Sequence, residues 1–385
     1  MIRIIDKSNC YGCSSCYSIC PTDAISMDYD HEGFEYPKIN KTKCINCNLC
    51  IKVCPFINNE NKRSDFEQTY YAVKHRDNNI RKTSSSGGAF TAISDYILDK
   101  GGLVYGAGFD DAFRVIHKCA IDKNQRDQLK GSKYVQSKIN NCFREIEEQL
   151  KCGKYVLFVG TPCQVKGLIN FLEKEYTNLI TMDFVCHGVP SPKFWEGYIS
   201  YISEKSVLIN FEFRNKKKGW HNSCVYYKTN LKEVYESLGY NQFMVIYFSH
   251  FITRSSCHKC CFTNYNRISD LTVSDFWNIK QVPEFTDDDL GISMLMVNTE
   301  KGSKVFEEIK GDFYYCKCSK EQTYQPQLNH PNQPSVLRKL FINDFNNKPI
   351  RYVLNKYAPH TFWGKVRKRL LYYAYSLIEV LKSGR

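Results

Sequence analysis

Two short stretches of the chain, "CYGCSSCYSICP" (10–21) and "CINCNLCIKVCP" (44–55), each set four cysteines at the spacing C-x2-C-x2-C-x3-C-P. Two-residue gaps let a loop wrap a 4Fe–4S cube and present three thiolates to three iron corners, which leaves the fourth cysteine too far round to complete the same cube. Ligation is therefore expected to cross. Cys10, Cys13, Cys16 and Cys54 would hold one cube, and Cys44, Cys47, Cys50 and Cys20 the other. Pro21 and Pro55 turn the chain away after each crossing ligand. Structural zinc is the competing reading, but it pairs C-x2-C units across a longer loop and gives the third cysteine of each run no role.

Four more cysteines stand in loops further on: Cys163 in "GTPCQ", Cys186 in "VCHGVPSP", and Cys257 and Cys260 as a C-x2-C pair. Their number suits a third 4Fe–4S cluster, with structural zinc and a dithiol pair at Cys257 and Cys260 as alternatives. Cys261, His187 and His258 are substitute ligands in reserve. His187 is read either as a proton donor or as an ordinary structural histidine. The remaining cysteines (119, 142, 152, 224, 316 and 318) lack metal spacing beyond one C-x-C and are read as packing residues.

Two loops carry weaker signals. "TSSSGGAF" sets Ser84, Ser85, Ser86, Gly87 and Gly88 before a helix start, where free amides favour an anion, although a plain helix cap looks the same. In "GSKYVQS", Ser132 precedes Lys133, which would pair with a phosphate, and Tyr134, which would stack on a ring; a surface turn is the bland reading. "GAGFDD" (106–111) lacks the third glycine of a dinucleotide fingerprint. No residue declares itself as a catalytic acid or base.

The bulk properties narrow the setting. The chain has 385 residues and 43% hydrophobic content, no run of eighteen apolar residues, and a start, "MIRIIDKSNC", too short and polar for a signal peptide. A cytoplasmic location is expected. There, nineteen cysteines cannot be a disulfide framework, because the compartment keeps thiols reduced. The formal charge of +13 is offset by roughly two units for each thiolate-bound cube. The remaining basic surface suits acidic or anionic partners; no nucleic-acid-binding motif accompanies it.

The elements that position these residues follow from periodicity. "AISMDYDHEGFEYPKI" alternates around Gly33 and predicts a small hairpin between the cysteine runs. The polar stretch "NNENKRSDFEQ" reads as a linker. Beyond it "YYAVK", "GLVYGAGF" and "VIHKCAI" predict strands, and "AFTAISDYILDKG" and "INNCFREIEEQLKCG" helices. "KYVLFV", "VKGLINFLEKE", "LITMDF" and "KFWEGYISYIS" alternate strand and helix, which argues for a parallel sheet. Cys163 and Cys186 then lie just past carboxyl ends of strands, where such sheets gather ligands. "RNKKKGW" (214–220) reads as a solvated charge run or a docking surface. The tail helix from 365, apolar at 366, 370, 374, 377 and 381 behind a basic start, is read as packing on its own domain, with a membrane-surface or partner-docking role as the alternative.

Residues 1–57 resemble a bacterial-type ferredoxin with two cubes, since all eight ligands and both prolines are present. "SSSGGAF", "GSKYVQS", "GTPCQ", "DFVCHGVPSP" and "CHKCCF…SDLTVSDFW" stand in the order found in the beta subunit of coenzyme F-420 hydrogenase and dehydrogenase, and the resemblance runs from about Tyr70 to about Leu328. It implies a flavoprotein with FAD beside an iron–sulfur cluster. Ser85, Ser86, Gly87 and Gly88 then become flavin-phosphate contacts, and Ser132, Lys133, Tyr134, Gly160, Thr161, Pro162 and Gln164 flavin neighbours. Cys163, Cys186, Cys257 and Cys260 become cluster ligands. The expected fold is mixed α+β and α/β, with a ferredoxin-like domain (1–57), a linker (58–68), a flavin-binding domain with a mostly parallel sheet in two parts (69–152 and 153–328), and a helical tail (329–385). The expected function is an iron–sulfur flavoprotein oxidoreductase that exchanges electrons with a ferredoxin, a deazaflavin or a nicotinamide. Its reaction would be reduction of a small organic substrate, as in surface-polysaccharide metabolism of an anaerobe, or oxidation of reduced deazaflavin. A non-catalytic electron-transfer subunit of a larger complex is the alternative.

Overall fold

The computed structural model describes residues 1–59 and 66–383. Residues 60–65 of the expected linker lie outside the described residues. Near the N-terminus, β1 (Ile25–Tyr29) and β2 (Glu35–Ile39) form an antiparallel hairpin with Ile25 opposite Ile39. The cysteine loops on either side repeat one backbone course. Ser14 and Asn48 take left-handed φ values of 63° and 62°, and each opens a single-turn helix, Ser15–Ser18 or Leu49–Lys52. Gly33 at the hairpin tip has φ 80°, and a Cβ there would stand 2.1 Å from Lys193 Cβ, so only glycine lets the tip lie against the helix Pro192–Ile202.

The main body is an eight-stranded sheet. It comprises β3 (Thr69–His75), β4 (Leu103–Phe109), β5 (Val115–Ala120), β6 (Val156–Val159) and β7 (Leu179–Phe184), joined after an insertion by three further strands. The insertion is an antiparallel meander, β8 (Leu208–Asn215), β9 (Cys224–Thr229) and β10 (Glu233–Ser237). The sheet then resumes with β11 (Leu271–Asp275), β12 (Ser293–Val297) and β13 (Phe313–Cys318), and its order is β13-β3-β12-β11-β7-β6-β4-β5. Strands β3, β4, β6, β7 and β11 run one way; β5, β12 and β13 oppose them.

The central strands read as unbroken apolar runs because both faces are covered. In β6, Leu157 faces a layer with Ala89, Ala92, Ile93 and Ile97 from the helix Ala89–Asp99. Its neighbours Val156 and Phe158 face the helices Cys142–Lys151 and Pro162–Leu172.

Two expectations need correction. The expected tail at 329–385 contributes to the core: Leu337, Phe341, Val353, Leu354 and Tyr357 are fully buried with Trp195, Phe211, Phe213, Phe243 and Tyr247 between the meander and the helices Gln242–Phe248, Arg338–Asn347 and Ile350–Tyr357. Only the last helix, Phe362–Ser383, lies outside that core, touching it through Leu371 and Tyr375. The "RNKKKGW" run is a solvated face only at the exposed Lys217 and Lys218. Arg214 and Trp220 are buried, and Lys216 Nζ donates to the carbonyls of Arg81, Ser86 and Leu290 at 2.6–2.9 Å.

The ferredoxin-like segment sits against the main body. Helix Ser15–Ser18 meets helix Pro162–Leu172 at Gly167, where an added Cβ would come 2.5 Å from Ser15 Oγ and 3.1 Å from Cys13 Cβ. Arg144 Nε donates to Ser18 O at 2.7 Å and its Nη2 to Cys20 O at 3.0 Å. Glu32 pairs with Arg338 across the same junction. Gly167→Val is expected to destabilise the junction by about 1–3 kcal/mol, since the close contact admits no new methyls. A thermal melt of the anaerobic protein measures this.

Candidate functional site

The two cysteine runs fold around two pockets. One is lined by Cys10, Cys13, Cys16 and Cys54 with Ile2, Ile4 and Phe56. The other is lined by Cys20, Cys44, Cys47 and Cys50 with Ile25, Ile39 and Ile45. In each, the fourth cysteine comes from the opposite run. Backbone amides already point at sulfur: Ile2 N donates to Cys50 Sγ and Ala24 N to Cys20 Sγ, both at 3.2 Å. Although burial opposes it, the amides of Thr22 and Ala24 hold the Cys20 thiol below its ordinary value. Burial pushes Cys13 up to about 12. The first pocket faces the main body; the second is at the surface, with Cys47 and Ile45 exposed.

A third pocket opens at the carboxyl edge of the sheet. Cys163 follows β6, Cys186 follows β7, and Cys257 and Cys260 come from the single 3-10 turn Ser255–Lys259 and its end; all four line it with Tyr11, Gln136, Thr161, Pro162, Gln164 and His187. Pro162 and Thr161 start the helix Pro162–Leu172, and Thr161 N donates to Gln164 Oε1 at 3.0 Å, closing its first turn. Gly188 N donates to Cys186 Sγ at 3.4 Å, and burial pushes Cys186 up to about 12. Cys261 is exposed, its Sγ 3.3 Å from Tyr11 Oη. His258 Nδ1 is engaged by Asn332 O. His187 stacks on His250, and burial lowers it to about 4.

An ion pair ties the two halves of this pocket together. Asp183, at the end of β7 and fully buried, lies 2.7 Å from Arg267 Nη2; Arg267 Nη1 also donates to Phe262 O at 2.9 Å. Thr272 Oγ1 donates to the same carboxylate at 2.6 Å. Burial raises the Asp183 carboxyl, with Arg267 opposing. Arg267→Met would leave an uncompensated buried carboxylate and is expected to cost about 3–5 kcal/mol, with the Asp183→Asn/Arg267→Met double variant recovering part of the loss. Paired thermal melts with iron analysis test both.

The first and third pockets share a wall. Tyr11 lines both, and its ring meets Phe56 at 5.8 Å and Phe262 at 5.5 Å. Beside it Arg254, wholly buried, donates from Nε to Cys10 O at 2.8 Å, from Nη2 to Cys10 Sγ at 3.5 Å and from Nη1 to Gln136 Oε1 at 3.0 Å. Gln136 Nε2 in turn donates to Tyr11 O at 3.0 Å.

The loops expected at a flavin also meet at this edge. Ser132 N donates to Ser85 Oγ at 2.8 Å, joining "SSSGG" to "GSKY". Ser86 Oγ donates to Ile292 O, and Gly87 N to Ser293 Oγ. The space beside Gly87 is filled by Val73 O at 2.4 Å and that beside Gly88 by His75 at 3.0 Å, so both glycines serve close packing on β3 and β12 and leave no open cradle. Gly160 is similarly closed by Phe158 and Gln164. Burial lowers the Lys133 and Lys216 ammonium groups to about 7.

Tyr134 packs on Tyr247 at 5.4 Å, and Tyr247 donates to Gly188 O at 3.0 Å and meets His187 edge-on. This aromatic run connects the loops to the third pocket. Arg214 Nη1 reaches Asp275 Oδ2 at 2.9 Å and Tyr134 Oη at 3.4 Å, while its buried Nη2 has no partner. Sequence reasoning missed Tyr11, Gln136, Arg214, Lys216, Arg254 and Arg267. Cysteine spacing carries no trace of them, although Tyr11 and Arg254 stand beside ligand runs.

Residues 153–321 match the family model for the C terminus of the coenzyme F420 hydrogenase/dehydrogenase beta subunit, and residues 9–58 match the 4Fe-4S dicluster domain. No curated protein matches the chain. Among solved structures, a chain from the xenon-derivatized F420-reducing [NiFe] hydrogenase complex of Methanosarcina barkeri is similar, with 17% identity and a TM-score of 0.43 over 76% of this chain and 93% of that one.

Proposed function

We propose an FAD-dependent oxidoreductase that passes electrons between iron–sulfur cubes and a two-electron partner, a reading supported by the match of residues 153–321 to the family model for the C terminus of the coenzyme F420 hydrogenase/dehydrogenase beta subunit and of residues 9–58 to the 4Fe-4S dicluster domain. The observation that carries this reading is the wall that Tyr11 forms between two four-cysteine pockets. A third cluster held by Cys163, Cys186, Cys257 and Cys260 would extend the ferredoxin wire to the edge of the sheet.

Four cysteine side chains line each pocket, the donor number and type a 4Fe–4S cube takes. Amide N–H groups aimed at Cys20 favour its thiolate over the thiol.

For FAD, the unpartnered Arg214 Nη2 and the buried Lys133 would supply positive groups, with Ser85, Ser132 and Tyr134 beside them, while Gly87 and Gly88 are closed by packing and Lys216 is held by three carbonyls. Thr161, Pro162 and Gln164 would separate it from the third cluster. When bound, a flavin exchanges single electrons with iron–sulfur centres and hydride with an organic partner. The chain's own part is to position: Tyr134, Tyr247 and His187 bridge flavin loops to thiolates, and the exposed pocket at Cys47 is where a ferredoxin would dock.

Anaerobic protein is expected to be brown, to hold both cubes and a third, and to release FAD on denaturation. Offering it reduced deazaflavin, NADH, NADPH and reduced ferredoxin while following flavin bleaching identifies the partner; colourless protein with stoichiometric zinc refutes the reading. FAD affinity is also expected to fall as pH rises through about 7. Burial makes Lys133 largely neutral above that point in the empty site, so anion binding there must take up a proton. Titrations of FAD into deflavinated protein at several pH values measure this.

A further inference from the structure

The helix Phe362–Ser383 is two-faced. One narrow stripe docks it: Leu371 and Tyr375 meet the aromatic core, and Lys368 Nζ lies 5.7 Å from the Phe251 ring centroid. At about 100° per residue, the opposite side presents Phe362, Trp363, Val366, Leu370, Tyr373 and Leu377. Of these, Phe362 is 72% exposed, Trp363 77%, Leu370 65%, and Tyr373 and Leu377 64%. Helices of globular proteins turn their apolar stripe inward. Here the wider apolar stripe is turned out.

Its flanks are cationic. Lys365 and Arg369 border the stripe on one side and Arg367 on the other, and no acidic residue falls between 362 and 378. We propose that this face rests on an anionic lipid surface, with Phe362, Trp363, Leu370, Tyr373 and Leu377 in the headgroup–acyl boundary and the three cations among the headgroups. Aromatic side chains with an apolar body suit that boundary. An apolar face bordered by Lys and Arg is the pattern of helices that lie in it. No helix among the described residues is long and apolar enough to cross a membrane, so the helix lies along the surface. A second copy is a poor occupant, because two such faces would bring like-charged rows together. An acidic protein groove matches the charge, but nothing in it requires an exposed Trp363 and Tyr373 at the same face.

The test is flotation of the anaerobic full-length protein with phosphatidylcholine vesicles, with and without phosphatidylglycerol. Partitioning is expected to be at least about tenfold stronger with phosphatidylglycerol and to weaken at high salt. Lys365→Gln/Arg367→Gln/Arg369→Gln is expected to lower it by on the order of a hundredfold. Leu370→Glu/Leu377→Glu is expected to abolish it while melting temperature and iron content stay unchanged, as suits exposed positions. Equal binding to both vesicles, or binding indifferent to Leu370→Glu/Leu377→Glu, overturns the proposal. So does a chain that floats with neither vesicle, whether it stays monomeric, dimerises through Leu370 and Leu377, or binds an acidic protein instead.

Discussion

Cys163→Ala protein purified without oxygen is expected to carry about four fewer irons than the unsubstituted chain, one cube's worth, while both ferredoxin-type cubes keep their reduced-state spectra. Cys163 sits at the start of the helix Pro162–Leu172, so the substitution removes a thiol and its 3.1 Å contact with Thr161 Oγ1 while the Thr161 N–Gln164 Oε1 bond remains. Its neighbours in the pocket, Cys186, Cys257 and Cys260, come from other elements. Under the proposed function, one-electron donors then still reduce the cubes of the N-terminal segment, but bound FAD no longer bleaches through them. Iron analysis and stopped-flow optical spectra of the same preparation measure both. Full iron content in Cys163→Ala removes the third cluster from the account.

The second large effect is expected at Arg254. Its guanidinium is buried against Cys10, and a cube gains negative charge when reduced, so a fixed positive charge beside it favours the reduced form. A unit charge within about 10 Å at an effective dielectric near 20 contributes on the order of 2 kcal/mol, or roughly 80 mV for one electron. Arg254→Met is therefore expected to shift the cube of Cys10, Cys13, Cys16 and Cys54 to more negative potential by about that amount. The cube of Cys20, Cys44, Cys47 and Cys50, which Arg254 does not touch, serves as the internal control. Arg254→Lys keeps the charge and should keep most of the potential, while losing the fork that spans Cys10 O and Gln136. A redox titration followed by electron paramagnetic resonance separates the two cubes.

How much of this was legible depends on how local each signal is. The pockets of the N-terminal segment follow from residue identity at fixed short spacing, because iron accepts few donors and a loop has few ways round a cube. Strands such as β6 and β7, apolar on both faces, declare themselves in four to six letters. Antiparallel β12 and β13 did not, since their partner β3 is far away in the chain and no local pattern encodes a pairing. The meander β8 to β10 was missed because register shifts break its alternation. Arg254 is separated from Cys10 by 244 residues, so its role belongs to the tertiary fold alone. Gly87 and Gly88 show the reverse hazard: a motif that suggests a phosphate cradle is, locally, what close packing against Val73 and His75 requires.

The account rests on the cubes and a flavin forming one conducting unit through the pocket that Tyr11 walls. An anaerobic optical titration of FAD-loaded holoprotein with reduced ferredoxin tests it most directly. The account predicts that the iron–sulfur absorbance bleaches first and the flavin band follows within the same titration, with Cys163→Ala abolishing the second phase alone. Protein that holds both cubes of the N-terminal segment yet binds no FAD, or FAD that bleaches equally well in Cys163→Ala, would contradict it.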